Sequence, residues 1–220
     1  MSGFLVLILL VLSSSVPAIA VYLWFRIARY QFSAIKFLLI LLAGATAFFP
    51  ALILQNYFLR NFAVTGRWGL MSHMFIRIAL TEELSRLLIL FGYFRISGGI
   101  YAAKGIEEKS AGSAVGLVAG LGLAILESAA YGAADTGIIL IRFFTAAPLH
   151  AACGARVGAA ASLFRAHPDR ALFRFITAAV IHGAYNFMII IPGITSLGAV
   201  LIAILAFTSS VLTVHRDMRL

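Results

Sequence analysis

With 220 residues, 62% of them hydrophobic, and a mean hydropathy of +1.03, the chain has too few polar side chains to cover a water-soluble globule, so the bilayer is its solvent. The net charge of +9 does not describe a nucleic-acid surface, because the 17 basic residues fall in short clusters between apolar runs, where positive charge marks cytoplasmic loops. The single cysteine, Cys153, excludes an internal disulfide and a CxxC metal site, and its apolar surroundings make it a packing residue.

Apolar runs long enough to span, about 20 residues each, follow one another along the chain. The first covers residues 3–25. Ala18-Ile19-Ala20 within it looks like a signal-peptidase site, but there is no basic segment before it and the apolar stretch continues through Trp24, which predicts a retained helix. Further runs cover 37–54, 68–94, 112–132, 137–161, 171–191 and 194–214. Only Pro192 and Gly193 separate the last two, so either a tight turn or a re-entrant piece fits there. The sequence shows no linker, low-complexity tract or internal repeat. The expected fold is therefore all-α: a polytopic transmembrane helix bundle of about seven spans, forming one membrane-embedded domain over residues 1–220.

Basic residues are distributed asymmetrically among the loops. Arg26, Arg29 and Lys36, then Arg95, Lys104 and Lys109, then Arg165, Arg170 and Arg174, and finally Arg216 and Arg219 fall on one side, whereas Arg60 and Arg67 alone fall on the other. This bias predicts an external N-terminus and a cytoplasmic C-terminus.

Three of the eight acidic residues, Glu82, Glu83 and Glu127, lie inside predicted spans. An ionised carboxylate at a helix centre costs roughly 2.5 to 3.5 kcal/mol on insertion scales, so function is the default reading of such a residue. The third span reads Thr81-Glu82-Glu83-Leu84-Ser85-Arg86 about midway along its length. On a helix Arg86 can reach either glutamate. Adjacent carboxylates in a low-dielectric site resist simultaneous ionisation, so one can carry a proton while Arg86 holds the other charged, and such a pair suits general acid and base work on water. The competing structural reading is a buried ion pair that fixes helix register.

Other polar residues occupy the later spans. Glu127 is followed one turn on by Tyr131; His150 comes just after Pro148, whose missing N–H opens the helix; His182 and Asn186 stand four apart in His182-Gly183-Ala184-Tyr185-Asn186. A lone histidine in a helix is ordinarily a packing residue. Together with the paired glutamates, however, these side chains supply the base, the imidazoles and the amide donor that peptide hydrolysis by activated water requires.

The ordered set of EExxR, an acid four residues before a tyrosine, an isolated histidine after a proline, and HGxYN resembles the PrsW family of membrane peptidases, relatives of the CAAX-prenyl endopeptidases and bacteriocin-processing proteins. The resemblance covers residues 81–186. It implies an intramembrane protease whose catalytic set is Glu82, Glu83, Glu127, His150, His182 and Asn186, with Arg86 beside the glutamates. Glu82 and Glu83 would activate water, and Asn186 would bind water or steady the oxyanion. It also implies a prokaryotic cell membrane and a single-span membrane protein as substrate, cut in the manner of site-one cleavage of an anti-sigma factor. Arg86 stands where the PrsW pattern usually has Lys, while the CAAX-type pattern places its Arg one residue later and a histidine in its second motif. These departures leave open a prenylated C-terminus as substrate.

Several features fall outside that set. His73 and Arg77 lie in the outer half of the third span and fit either a hydrated access path or a register-fixing role. Arg142, near the outer end of the fifth span, is expected to snorkel to the interface. Gly112, Gly116 and Gly120 have the small-xxx-small spacing of closely packed helices. His167 and His215 fall in predicted loops, where solvation is expected. Two histidines and a glutamate could complete a His₂Glu zinc site, but HExxH is absent, so a metal-free glutamate mechanism with no cofactor is the preferred expectation and zinc the alternative. A small ion-coupled transporter would also carry mid-membrane acids and histidines, although its usual repeat symmetry is missing; a non-catalytic membrane scaffold is the third class. Reporter fusions after Lys104 and after Arg219 should both report cytoplasm, and an external signal from either would reject the seven-span topology.

Overall fold

A computed structural model describes residues 3–30, 32–58, 64–102, 112–191 and 193–218. Among these the regular structure is helical throughout, with no strand. Helices α1 (Gly3–Ser14) and α2 (Val16–Ile27) run on as one apolar span, Phe4–Ile27, with Pro17 in the first turn of α2, where a missing N–H costs nothing. Next come α3 (Ala34–Thr46), capped by Ser33, whose hydroxyl accepts from the Lys36 N–H, and α4 (Phe48–Ile53), which ends in a π-helical turn at Leu54–Phe58. Helix α5 (Gly66–Ser72) continues through a π-helical stretch, His73–Leu80, into α6 (Thr81–Ala102). The remaining helices are α7 (Gly112–Gly132), α8 (Gly137–Phe144), α9 (Ala146–Leu163), α10 (Pro168–Ile190) and α11 (Ile194–Asp217).

Among the described residues five helices are long and apolar enough to cross a membrane, and the bent pair α8 and α9 makes a sixth if the two together count as one broken span. The run 66–102, which carries Arg67, Arg77, Glu82, Glu83, Arg86 and Arg95, corresponds to the third of the seven expected spans. The protein is thus an integral, multi-pass membrane protein. Large apolar side chains such as Leu38, Leu42, Leu172, Leu201, Leu205 and Leu212 stand exposed on the outer helix faces, as lipid-facing residues do. Arg60, Lys104, Lys109, Pro192 and Arg219, used above for loops and topology, lie outside the described residues.

The helix opening expected near Pro148 takes the form of a 42° bend between α8 and α9, with Thr145 at φ −121° and ψ −68°, while one other expectation about local structure changes. Pro148 is the cause, since its ring excludes the carbonyl of the residue four before it and removes the N–H that would have bonded there; the break therefore opens a turn upstream of the proline. His215 is not in a loop but in the last turn of α11, hydrogen-bonded to the Tyr30 hydroxyl at 2.6 Å. The sixth and seventh runs are separate long helices, with Gly193 in the turn between them at φ +96°, a conformation open to glycine.

Helix α7 is the axis of the bundle, covered by α3 on one side and α9 on another. Its glycines make this possible. A Cβ on Gly116 would lie 2.0 Å from the Gly154 carbonyl oxygen, one on Gly120 2.0 Å from the His150 carbonyl oxygen, and one on Gly122 2.0 Å from the Leu41 carbonyl oxygen. The 112-116-120 spacing is accordingly a packing seam against α9. Cys153 is buried on the side of α9 that faces α10, its thiol directed to the Ala178 carbonyl. Gly116→Ala should push α7 and α9 apart and destabilise the protein by about 1–3 kcal/mol. Gly92→Ala, where a Cβ meets nothing within 4 Å, should be neutral or slightly stabilising. Thermal unfolding in detergent compares the two; equal midpoints would refute the seam.

Candidate active site

The π-helical stretch before α6 ends where Thr81 turns its hydroxyl back to the Arg77 carbonyl at 2.6 Å. The next residues are the paired glutamates. Glu83 and Arg86, one turn apart, form an ion pair with both side chains fully buried. From α10, His182 Nδ1–H donates to Glu83 Oε1 at 2.8 Å. Arg86 also reaches α9, its Nη2 lying 3.3 Å from His150 Nδ1. Guanidinium nitrogens only donate, so His150 accepts at Nδ1 and carries its proton on Nε2. That Nε2–H meets Glu127 Oε2 from α7 at 2.5 Å, and Glu127 is in turn paired with Arg142 of α8 at 2.7 Å. The two imidazoles stand edge to face, with centroids 4.9 Å apart and planes at 83°.

The result is two parallel chains, Arg86–Glu83–His182 and Arg142–Glu127–His150, in which an arginine neutralises a carboxylate and the carboxylate orients an imidazole. Glu82 belongs to neither chain. Its Oε1 takes a long bond from Gln55 at 3.4 Å, while its Oε2 is buried, accepts no hydrogen bond among the described residues and faces His182 Nε2 at 3.7 Å. The two adjacent glutamates thus differ in kind: one is committed to structure, the other holds a free oxygen beside an imidazole.

Of the residues singled out in the sequence, Glu82, Glu83, Arg86, Glu127, His150 and His182 converge here. Asn186, one turn beyond His182 on α10, is half-buried and makes no hydrogen bond or ion pair among the described residues. Residue counting puts Glu127 nearer the membrane surface than His150, but the bend at Thr145 levels the two. Arg142 does not snorkel: it is turned inward, donating to Ser128 Oγ at 3.0 Å and lying 4.5 Å from the Tyr131 ring centroid, because a buried Glu127 is a stronger attraction than the interface. Gln55 went unnoticed in the sequence, being a neutral residue just past its apolar run; it bonds Thr81 Oγ1 at 3.1 Å as well as Glu82. Arg77 is spent on the Gln55 carbonyl at 3.2 Å, and His73 Nδ1 is buried without a partner among the described residues.

The family profile described as PrsW family intramembrane metalloprotease matches residues 34–213. The chain belongs to the PrsW family. No curated protein and no solved structure matches it. Family membership makes this PrsW protein an intramembrane peptidase, a hydrolase of peptide bonds.

The printed family description raises the question of a metal, and the residues present fit one. Glu82, His150 and His182, all buried, each offer a ligand atom within 4.8 Å of the others, the donor types of a His₂Glu zinc site. Glu82 Oε2 has no hydrogen-bond partner among the described residues, and Glu83 behind His182 Nδ1 is the carboxylate that such a ligand histidine uses to fix its ring. His150 would give up one of its two bonds, to Arg86 or to Glu127, in order to ligate.

Removing one member of a buried ion pair leaves the other charge uncompensated, at a cost of about 3–5 kcal/mol. Arg86→Leu in the PrsW protein should therefore lower stability by about that amount, and Arg86→Lys by distinctly less, since it retains the charge on Glu83 and loses only the reach to His150. Unfolding midpoints in detergent check this; equal losses for the two variants would show that charge pairing is not the function of Arg86.

Proposed function

We propose that this protein hydrolyses a peptide bond in a membrane-protein substrate using a water activated by Glu82. The observation that carries the reading is the free, buried oxygen of Glu82 facing His182 Nε2 at 3.7 Å, next to a second glutamate already committed to Arg86 and His182. Glu82 takes a proton from water as the water oxygen attacks the scissile carbonyl. His182, held with Nε2 toward Glu82 by its Nδ1–H bond to Glu83, relays that proton to the leaving amine as the C–N bond breaks. Asn186, whose amide can donate, is the candidate for binding water or steadying the oxyanion, while His150, with Nε2–H on Glu127, holds the far side of the site.

A second reading is favoured by the three-donor group and the family description. In it Glu82, His150 and His182 hold zinc, which when bound supplies an acidified water and a Lewis acid for the carbonyl. Glu83 then keeps the His182 ring in place, and Arg86 keeps Glu83 charged.

The substrate we infer is a single-span membrane protein, processed as in anti-sigma-factor site-one cleavage, with the N-terminus of the protease outside and its C-terminus in the cytoplasm. The cut is then expected in the external half of the substrate's span. A cell producing the wild-type protein should accumulate a truncated single-span protein in its membrane proteome, and Glu82→Gln, at equal expression, should lower that product by roughly a hundredfold or more. Undiminished product in the Gln variant removes Glu82 from the mechanism, and no truncated product at all favours a transporter or scaffold. Loss of activity with chelator and its return with zinc selects the second reading. Mass-spectrometric mapping of the new terminus tests the geometry; a cytoplasmic cut beside a prenylated cysteine would favour a CAAX-type substrate.

A further inference from the structure

Arg156, a charge inside α9, was not singled out in the sequence and takes no part in the candidate site. One of its guanidinium nitrogens donates to the Ala152 carbonyl at 3.0 Å and to Ser210 Oγ at 2.8 Å, and the other lies 3.4 Å from Ser209 Oγ. The first nitrogen also reaches the Ala206 carbonyl at 3.5 Å, so α11 holds the side chain from one edge, and Arg156 lines a cleft of about 490 Å³. The other lining residues come from the start of α10: Asp169, Arg170, Phe173, Arg174 and Thr177. Arg170, Arg174 and Thr177 are spaced i, i+4, i+7 and share one helix face.

Three arginines therefore line one cleft with a single acid, and no ion pair joins Asp169 to any of them among the described residues. Arg156 and Arg174 are near enough to repel one another. The bias of basic residues toward one set of loops explains Arg165 and Arg170 but not Arg156, which is seven residues, roughly 10 Å of helix, inside the end of α9. Fixing a third guanidinium there against like charge is favourable when an anion bridges them, and guanidinium groups match a phosphate in bidentate geometry. The neighbouring surface of α10 is apolar and outward-facing: Phe173 is 72% exposed, and Leu172 and Ile176 are also exposed.

We propose that this cleft between α9 and α10 binds the phosphate of an anionic phospholipid, with its acyl chains lying along the exposed apolar face of α10. Basic pockets between transmembrane helices near a membrane surface bind lipid headgroups in this way. The site is separate from the candidate active site and does not depend on the proposed hydrolysis.

The full-length protein, purified in detergent and stripped of lipid, is titrated with dioleoylphosphatidylglycerol or dioleoylphosphatidylcholine and followed by native mass spectrometry and thermal unfolding. The expected result is one retained phosphatidylglycerol per chain with a raised unfolding midpoint, little retention of phosphatidylcholine, and about tenfold weaker phosphatidylglycerol binding in the Arg170→Gln/Arg174→Gln double variant. Both residues are at the helix surface, so the variant's unfolding midpoint without lipid should match that of the wild type and show that it is folded. Equal retention of the two lipids, or undiminished binding by the folded double variant, overturns the proposal. Inorganic phosphate is titrated in parallel: failure to displace phosphatidylglycerol at millimolar concentration supports a lipid source, whereas displacement together with stabilisation by phosphate alone assigns the cleft to a soluble phosphate and overturns the lipid assignment.

Discussion

A charge taken out of water must find its opposite or be neutralised, and that constraint organises the interior of this protein. Glu83 is fully buried, as is Arg86, and neither would be tolerated at such a position alone. Pairing them leaves Glu83 with an oxygen for His182 and Arg86 with a nitrogen for His150, so a structural requirement on α6 fixes imidazoles arriving from α9 and α10. The same logic recurs across the bundle, where Arg142 meets Glu127 and Glu127 meets His150. Among the described residues Glu82 Oε2 is a buried carboxylate oxygen without a hydrogen bond, and it stands beside a glutamate and two imidazoles that are already paired.

Such pairing demands close helices. His150 and Glu127 sit on α9 and α7, whose axes can approach because glycine faces backbone across the seam, with Gly120 lying directly against the His150 carbonyl. The small residues thus serve the site as much as the fold. In a bilayer, where lipid tails offer apolar side chains the same environment as a neighbouring helix does, close backbone packing and buried polar pairs are the forces left to hold helices in register.

Helix distortions also cluster around the site. The π-helical stretch His73–Leu80 ends immediately before the glutamate pair, and the break at Thr145 comes five residues before His150. The π-helical turn at Leu54–Phe58 carries Gln55, which contacts both Thr81 and Glu82. π-helical segments frequently accompany functional sites, and each one here changes the direction in which a polar side chain is presented. Regular helices through these positions would alter the facing of Gln55 and the glutamates and carry His150 away from the level of Glu127.

The solvent, the helical class, the approximate spans and most members of the candidate site were legible in the residue order alone. A chain this apolar has no alternative to membrane helices, and a carboxylate or imidazole inside an apolar run is conspicuous because its insertion is costly. Glu82, Glu83, Arg86, Glu127, His150 and His182 were legible for that reason, and the ordered motifs pointed to the family that the profile over residues 34–213 identifies. Gln55, neutral and just past its apolar run, carried no such signal; Arg142 had one that pointed the wrong way, since an arginine near a span end is expected to reach the interface unless a buried acid is closer. The division of labour among these side chains came from the packing of the helices. Which glutamate pairs with Arg86, which ring nitrogen faces which carboxylate, and that Arg142 turns inward all depend on distances between helices far apart in sequence, set by glycine contacts, a proline-induced bend and π-helical turns whose combined geometry no local pattern encodes.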